Sequence, residues 1–312
     1  MFFLALALLQ PVAADAPADE IEIAGSEQSY SAATLRVIET LDPAEPQPSI
    51  ASLEALGEAG DASALEALGE LFGKGVSGIA RDPDRACDYF EQVEAERGDT
   101  QHNIATCYYD GVGRPRDHVR ARLHYRRAIA AGYTQSRCAL GNMLIRGQGG
   151  DIDVARGMAL CREAAEAGIA RAQADVGTHL LIGEHVERDP VTARFWLEQA
   201  GEQGQPNASF LLGQIYHKGD GVERDLDRAQ SWFERAHASG RPDAAFQIFR
   251  MLFQRGYVSD AKRASIDPGV LEEAIEWARI AAETEPDPAQ RKLAREAPEA
   301  IGRILAAAQA TD

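Results

Sequence analysis

The chain has 312 residues, of which 45% are hydrophobic and 26% are charged, and 49 acidic residues against 32 lysines and arginines give a formal net charge of −17. This length exceeds what one compact core usually supplies, so we expect two domains or an array of repeats. Proteins that bind DNA or RNA usually present a basic surface, so the acidic charge argues against nucleic acid as a partner. Apolar residues recur along nearly the whole chain, which argues against a disordered low-complexity protein.

The N-terminal segment differs from the rest of the chain. The apolar run over residues 2–9 is too short to span a bilayer, and small residues follow it at the spacing of a cleavage signal. We predict a signal peptide over residues 1–16, cleaved after Ala14 or Ala16, although no Lys or Arg precedes the apolar run. The mature protein would then be periplasmic or secreted, and no later apolar segment is long enough to predict a membrane span. The alternative is a buried N-terminal helix in a cytosolic protein.

A pattern of 36 residues repeats through most of the chain. An apolar residue followed by a small one recurs at this interval, beginning at Leu68, Ile104, Leu140, Val176 and Leu212. An apolar or aromatic residue stands four positions later, at Phe72, Tyr108, Leu144, Leu180 and Tyr216. An aspartate follows, with one shift of a single residue, at Asp82, Asp117, Asp153, Asp189 and Asp225. A second apolar or aromatic set comes next, at Tyr89, His124, Leu160, Trp196 and Trp232. Each unit closes with a glycine, at Gly98, Gly132, Gly168, Gly204 and Gly240.

Each recurring position has a physical reason. Apolar residues four apart share one face of a helix, so we expect a first helix around each apolar–small pair. A glycine after the aromatic position ends that helix, because glycine accepts the left-handed conformation of a helix C-cap. The aspartate suits the N-cap of a second helix, since its carboxylate accepts backbone N–H bonds.

One helical pair cannot bury its apolar faces alone, so the pairs must stack. The sequence therefore predicts an all-α fold, an α-solenoid of about five to six helix-turn-helix repeats in a right-handed superhelix. We expect its core at Leu68, Phe72, Tyr89, Tyr108, Leu140, Trp196, Leu212, Tyr216 and Trp232.

The motif resembles that of the Sel-1-like repeat family. Residues 212–222 read Leu-Gly-Gln-Ile-Tyr-His-Lys-Gly-Asp-Gly-Val, and residues 225–236 read Asp-Leu-Asp-Arg-Ala-Gln-Ser-Trp-Phe-Glu-Arg-Ala, which match the two halves of such a repeat. Tetratricopeptide repeats, with a period of about 34 residues, fit less well. We expect an N-terminal helical cap over residues 17–59, five repeats over residues 60–240, and a degenerate repeat with a C-terminal helical cap over residues 241–312.

The four cysteines fall on the predicted helices of the first three repeats. An even number in an exported protein suggests two disulfides, for which three connectivities are possible. Bridging neighbouring helices favours Cys87–Cys107 and Cys138–Cys161, and the helix-to-helix disulfides of secreted Sel-1-like proteins support this pairing by resemblance. The alternative is four buried thiols that act as small apolar residues. Zinc is less favoured, because no two cysteines form a close Cys-x-x-Cys pair.

Catalytic signals are weak. Ser259 and Lys262 form a Ser-x-x-Lys, the acylation motif of penicillin-recognising enzymes, but its usual companion motifs are missing. The histidines do not cluster at metal spacing, and His124 occupies a core aromatic position. We therefore predict no catalytic residue, no cofactor and no metal site. Because some exported Sel-1-like proteins are linked to β-lactam binding, a periplasmic β-lactam or cell-wall enzyme is kept as an alternative.

The preferred function is a non-enzymatic scaffold or adaptor of the bacterial cell envelope that binds a protein or peptide in the solenoid groove. The resemblance implies such an adaptor role, including roles in signalling and stress responses. The charge of −17 favours a partner with a basic segment and salt-sensitive binding. We expect a monomer, and a cytosolic adaptor is the further alternative.

Overall fold

The computed structural model describes residues 30–93, 97–259 and 264–309. The predicted signal peptide lies outside the described residues, as does Lys262 of the Ser-x-x-Lys motif. The helices of this part of the chain are α1 (Ala32–Glu39), α2 (Gln47–Glu58), α3 (Ala62–Lys74), α4 (Pro83–Gln92), α5 (Gly98–Asp110), α6 (His118–Ala130), α7 (Ser136–Ile145), α8 (Val154–Glu166), α9 (Ala170–Ile182), α10 (Pro190–Glu202), α11 (Pro206–Lys218), α12 (Leu226–Ala238), α13 (Asp243–Gly256), α14 (Pro268–Thr284) and α15 (Pro288–Gln309). Two short strands, β1 (Tyr257–Ser259) and β2 (Ala264–Ile266), lie between α13 and α14.

Helices α3 to α14 form six successive pairs, each made of a first helix and a second helix. The two helices of a pair pack on each other more extensively than on any other helix. The predicted all-α helical-repeat fold is confirmed. Helices α1 and α2 precede the pairs, and α15 follows them.

The chain divides into two compact units, Met1–Tyr133 (unit 1) and Thr134–Asp312 (unit 2). In unit 1, buried side chains from α1 to α5 form one hydrophobic cluster. In unit 2, a larger cluster extends from α9 to α15, and a smaller one is centred on α7, α8 and α9.

The recurring aspartates lie at the N-caps of the second helices. In each case Oδ1 accepts the backbone N–H three residues further on, at 3.1 Å for Asp82, 2.9 Å for Asp117, 3.0 Å for Asp153, 3.0 Å for Asp189 and 2.9 Å for Asp225. The backbone N–H of the same residue donates to the carbonyl of the aromatic position in the first helix, as from Asp225 to Tyr216 at 3.0 Å. One residue thus both begins the second helix and fixes the loop that precedes it.

That loop also needs a left-handed residue at the end of the first helix. Gly219 ends α11 with φ 74°, and its N–H donates to the carbonyl of Ile215. A side chain is strained in this conformation, which accounts for the glycine repeated here.

Most of the predicted core residues of the first helices are buried, whereas the others pack against the core clusters without being fully buried. Leu68, Phe72, Leu140, Leu212 and Tyr216 are all buried. The other predicted core residues, Tyr89, Tyr108, Trp196 and Trp232, are only half-buried.

In the second helices the buried residue is the next one along the chain. Leu197 and Phe233 are 0% and 2% exposed, while the tryptophan before each of them is half-buried. Leu197 belongs to a row of buried residues along α10. The other members of this row, such as Ala193 and Ala200, are small residues at the helix crossing. Trp232 lies one position off the corresponding row of its helix and covers Gly201 of the preceding second helix instead. Tyr89 occupies the equivalent position of α4, and half-burial there keeps its hydroxyl accessible to a polar partner.

Three local features stand out beside the regular pattern of the repeats. Gly98 begins α5 and lacks the positive φ of Gly132 and the later closing glycines, and it lies outside the 36-residue register that those glycines share. The stretch after Gly256 contains the antiparallel hairpin β1–β2, with Tyr257 opposite Ile266. Helix α15 continues through Pro298.

Candidate partner-binding surface on the first helices

The first helices α5, α7, α9, α11 and α13 each carry one row of side chains that are not fully buried. In α9 this row is Arg171, Asp175, Thr178 and Ile182, spaced i, i+4, i+7 and i+11, so its members lie on one face. The same row recurs every 36 residues in or beside the other first helices: Asp99, Asn103, Thr106 and Asp110; Gln135, Ala139, Asn142 and Arg146; Asn207, Leu211, Gln214 and Lys218; Asp243, Gln247, Arg250 and Gln254. None of these residues is fully buried. In each unit we call this set of side chains the open face of that unit.

In unit 1 the open face borders a cavity of about 340 Å³. All four open-face residues of α5 line it, together with Glu70 and Lys74 of α3 and the ring of Tyr133. The apolar part of its wall consists of Gly69, Gly73, Ala86, Cys87, Phe90, Cys107 and Val112. A cavity of this size and composition can hold a small ligand or the side chains of a bound peptide.

Two cysteine pairs lie close to this surface, one in each unit. Cys87 of α4 and Cys107 of α5 lie at disulfide distance in the cavity wall of unit 1. Cys138 of α7 and Cys161 of α8 lie at disulfide distance in unit 2. All four residues are buried, and the structure brings together the two pairs that the sequence analysis preferred.

The charged part of the unit 1 cavity consists of the carboxylates of Glu70, Asp99 and Asp110 and the cations of Lys74 and Arg81. Glu70 accepts from Lys74 Nζ at 2.9 Å, and Asp99 accepts from Arg97 Nη2 at 3.0 Å. Asp110 is exposed and has no ion-pair partner within the described residues. Burial raises the pKa of Tyr133 above its ordinary value, and the negative charges of Asp99 and Glu70 raise it further. The phenol therefore stays protonated at neutral pH.

Two open-face residues of unit 2, Asn142 and Asp175, form a hydrogen-bonded chain with His179 of α9. Asn142 Nδ2 donates to Asp175 Oδ2 at 2.9 Å, and His179 Nε2 lies 2.7 Å from Asn142 Oδ1. Burial raises the pKa of Asp175 and lowers the pKa of His179, because both charged forms lose solvation. This chain joins α7 to α9.

The sequence matches the family model described as Sel1 repeat over six segments: residues 62–92, 98–133, 134–169, 170–205, 206–240 and 242–283. The chain belongs to the Sel1 repeat family. Each matched segment contains one first helix and one second helix. The sixth Sel1 repeat includes the hairpin β1–β2.

Solved structures of Sel1 repeat proteins share this fold. A Sel1 repeat protein from Oxalobacter formigenes is 23% identical, with a TM-score of 0.62, and the match covers 83% of this chain and all (100%) of that one. A protective antigen present in uropathogenic Escherichia coli strains, which displays an SLR fold, is 24% identical, with a TM-score of 0.55. That match covers 75% of this chain and 48% of the antigen, so the chain spans about half the length of that relative. No curated protein gives a significant match.

His124, which the sequence places at a core aromatic position, packs against other residues of its own Sel1 repeat. The ring of His124 stacks on Tyr108 with centroids 5.7 Å apart, and its Nδ1 lies 2.8 Å from Gln101 Oε1. Among the described residues no group of His, Cys, Asp and Glu is arranged to hold a metal ion. None of the described helices has the length and apolar character that crossing a membrane requires.

The residues of the open face were not singled out from the sequence. A signal was present, because the open positions recur at the same 36-residue interval as the core. Their residue types vary from repeat to repeat, however, so only the helix boundaries show which positions stay free.

Proposed function

We propose that this Sel1 repeat protein is a non-enzymatic scaffold of the bacterial cell envelope that binds a protein segment on the open face of unit 1. Sel1 repeat proteins generally act as protein-interaction scaffolds, and this general role is the starting point. The observation that carries the proposal is the cavity of about 340 Å³, because it joins an apolar wall to several side chains with hydrogen-bonding capacity.

The bound segment carries a lysine or arginine. Phe90, Val112 and the Cys87–Cys107 pair offer an apolar surface for the aliphatic stem of such a side chain. Asp110, which has no ion-pair partner among the described residues, offers its carboxylate to the charged head, and Asp99, paired with Arg97, lies at the other end of the α5 row. A partner with a basic segment agrees with the net charge of −17.

The peptide part of the proposal is tested with a fluorescein-labelled oligo-lysine peptide, whose fluorescence anisotropy reports binding. The double variant Asp99→Asn with Asp110→Asn removes two carboxylates from the cavity. The control Glu45→Gln with Asp84→Asn removes the same charge from exposed positions of unit 1 outside the open face. We expect about tenfold weaker binding for the cavity variant and little change for the control. Equal weakening in both would show that only the net charge attracts the peptide.

The envelope location is supported by the two cysteine pairs at disulfide distance, since disulfides persist in oxidising compartments. The intact mass of natively expressed protein tests it, measured with alkylation before and after reduction. A chain that starts at residue 15 or 17 with no thiol alkylated before reduction supports export. A full-length chain with four free thiols contradicts it and moves the partner search to the cytosol.

A further inference from the structure

The first helices of unit 2 have a charge balance opposite to that of the whole chain. Helices α7, α9, α11 and α13 contain five lysines and arginines against two aspartates, whereas the chain has 32 basic residues against 49 acidic ones. The basic residues are Arg137, Arg171, Lys218, Arg250 and Arg255. Arg146, the C-cap of α7, adds another.

Two of these cations belong to contacts with the second helices. Arg137 Nη1 lies 3.3 Å from Glu163 Oε2 of α8, and Arg255 Nη1 lies 2.8 Å from Asp227 Oδ1 of α12. These pairs neutralise both side chains within the helical array.

The other four cations lie on the open face. They are Arg146, Arg171, Lys218 and Arg250, and all four are exposed. None of them has an ion-pair partner in the part of unit 2 that the structure describes. The open face of unit 2 therefore carries these four cations against two carboxylates, Asp175 and Asp243, in a chain with a net charge of −17.

The two acidic residues of this face offset only part of its positive charge. The Asp175 carboxylate accepts from Asn142 Nδ2 at 2.9 Å, and Cys138 Sγ lies 3.6 Å from it. Asp243 accepts from Arg241 Nε at 2.9 Å and from Arg241 Nη2 at 3.1 Å. Asp243 is therefore neutralised by Arg241, and Asp175 offsets part of the positive charge of Arg171 and Arg146, so the cations remain in excess on this face.

The surroundings of His217 also indicate positive potential at this surface. Burial lowers the pKa of the imidazole below its ordinary value, and the charges of Arg224, Arg250 and Lys218 lower it further. Side-chain contacts connect neighbouring helices of the face. Asn142 bridges α7 and α9, and Arg241, just before α13, donates to Asn207 Oδ1 of α11.

We propose that the open face of unit 2 binds an acidic protein segment, whose aspartate or glutamate side chains pair with Arg146, Arg171, Lys218 and Arg250. Arginine suits this role because its guanidinium can hold a carboxylate through two parallel hydrogen bonds. The amides of Gln214 and Gln247 lie on the same face and can donate to backbone carbonyls of the segment.

This surface is separate from the cavity proposed for a basic segment in unit 1, and the two proposals are tested with probes of opposite charge. Because the whole protein repels an acidic peptide at long range, capture of such a peptide must come from local cations. Loss of oligo-lysine binding leaves the unit 2 proposal standing, and loss of oligo-glutamate binding leaves the unit 1 proposal standing.

The experiment measures fluorescence anisotropy of a labelled oligo-glutamate peptide at low ionic strength with the full chain. The variant Arg171→Glu with Arg250→Glu reverses two cations of the open face. The matched control, Arg156→Glu with Arg162→Glu, makes the same change in net charge on exposed positions of α8. We expect about tenfold weaker binding for the open-face variant and less than about twofold change for the control. If charge reversal disturbs the fold, as circular dichroism would show, Arg171→Gln with Arg250→Gln is used and should weaken binding by a smaller factor.

Three results would overturn the proposal. Equal weakening in both reversed variants would assign the effect to net charge. Binding of oligo-glutamate no stronger than that of a neutral peptide would show that the face does not select acidic chains. Preferential binding of single-stranded DNA, weakened by the same open-face variant, would assign the surface to a nucleic acid.

Discussion

The hydroxyl of Tyr216 donates to Glu198 Oε1 at 2.9 Å and so connects α11 to the second helix of the preceding repeat. Tyr216 is buried, and Glu198 also accepts from Arg194 Nη1 at 3.4 Å. Removing the hydroxyl in Tyr216→Phe leaves this carboxylate with one partner fewer, and we expect a loss of about 1 kcal/mol in the free energy of unfolding. Urea denaturation measures it. Tyr109→Phe, whose hydroxyl has no hydrogen-bond partner among the described residues, should change stability much less.

The crossing of α7 and α8 depends on two glycines. A Cβ at Gly141 would lie 2.5 Å from the carbonyl oxygen of Gly157, a backbone atom that cannot turn aside. We expect Gly141→Ala to destabilise unit 2 by roughly 1–3 kcal/mol through overpacking. Gly302 of α15 has open space around it, so Gly302→Ala should stabilise by about 0.5–1 kcal/mol. Thermal unfolding measures the change in stability of each variant. If both variants were stabilised, or both destabilised, the close approach of α7 and α8 would be contradicted.

The Cys87–Cys107 pair encloses a sequence separation of 20 residues. Closing such a loop restricts the unfolded chain, so replacing both cysteines by serine should cost about 3 kcal/mol under oxidising conditions. Denaturation of the wild-type protein in excess reductant should show a comparable loss. An unchanged midpoint after reduction would indicate that the two thiols are not bonded in the folded protein.

Asp61 links the N-cap of α1 to the N-cap of α3. Partial burial acts to raise the pKa of its carboxyl, but hydrogen bonds from Ser31, Ser63 and Thr34 outweigh burial and hold the pKa below the ordinary value of about 3.8. A lowered pKa contributes stability above the unfolded-state value, and this contribution is lost as the pH falls through the folded-state value. We therefore expect Asp61→Asn to destabilise the protein at neutral pH and to flatten its stability profile in acid. Unfolding curves across the acidic range measure both effects, and parallel profiles for the two proteins would contradict this role.

The sequence was most informative where one residue type performs one repeated task. An aspartate before a second helix is needed at every repeat for the same reason, the orphan N–H groups of the helix end, so spacing alone identifies Asp117 or Asp225. The apolar pairs of the first helices are equally constrained, because Leu68 and Leu212 face the crossing of each helical pair.

Sequence reasoning failed where two neighbouring residues could both fill the core. Trp196 and Leu197 are both apolar, and periodicity does not decide which of them points inward when the larger one can cover an adjacent repeat. The hairpin after α13 escaped prediction because its strands have only three residues each. The open face could not be assigned a partner from the sequence, since the net charge of the whole chain conceals the cations concentrated on its second half.

The two cysteine pairs differ in what they connect. Cys87 and Cys107 join the second helix of one repeat to the first helix of the next, whereas Cys138 and Cys161 join the two helices of a single repeat. If the protein is pulled by its two ends, a bonded pair prevents the segment between its two cysteines from extending, a sequence separation of 20 in one case and 23 in the other. Each residue released on reduction adds about 3.5 Å to the extended chain. The stretched length of a single molecule would thus record how many of its bridges are intact.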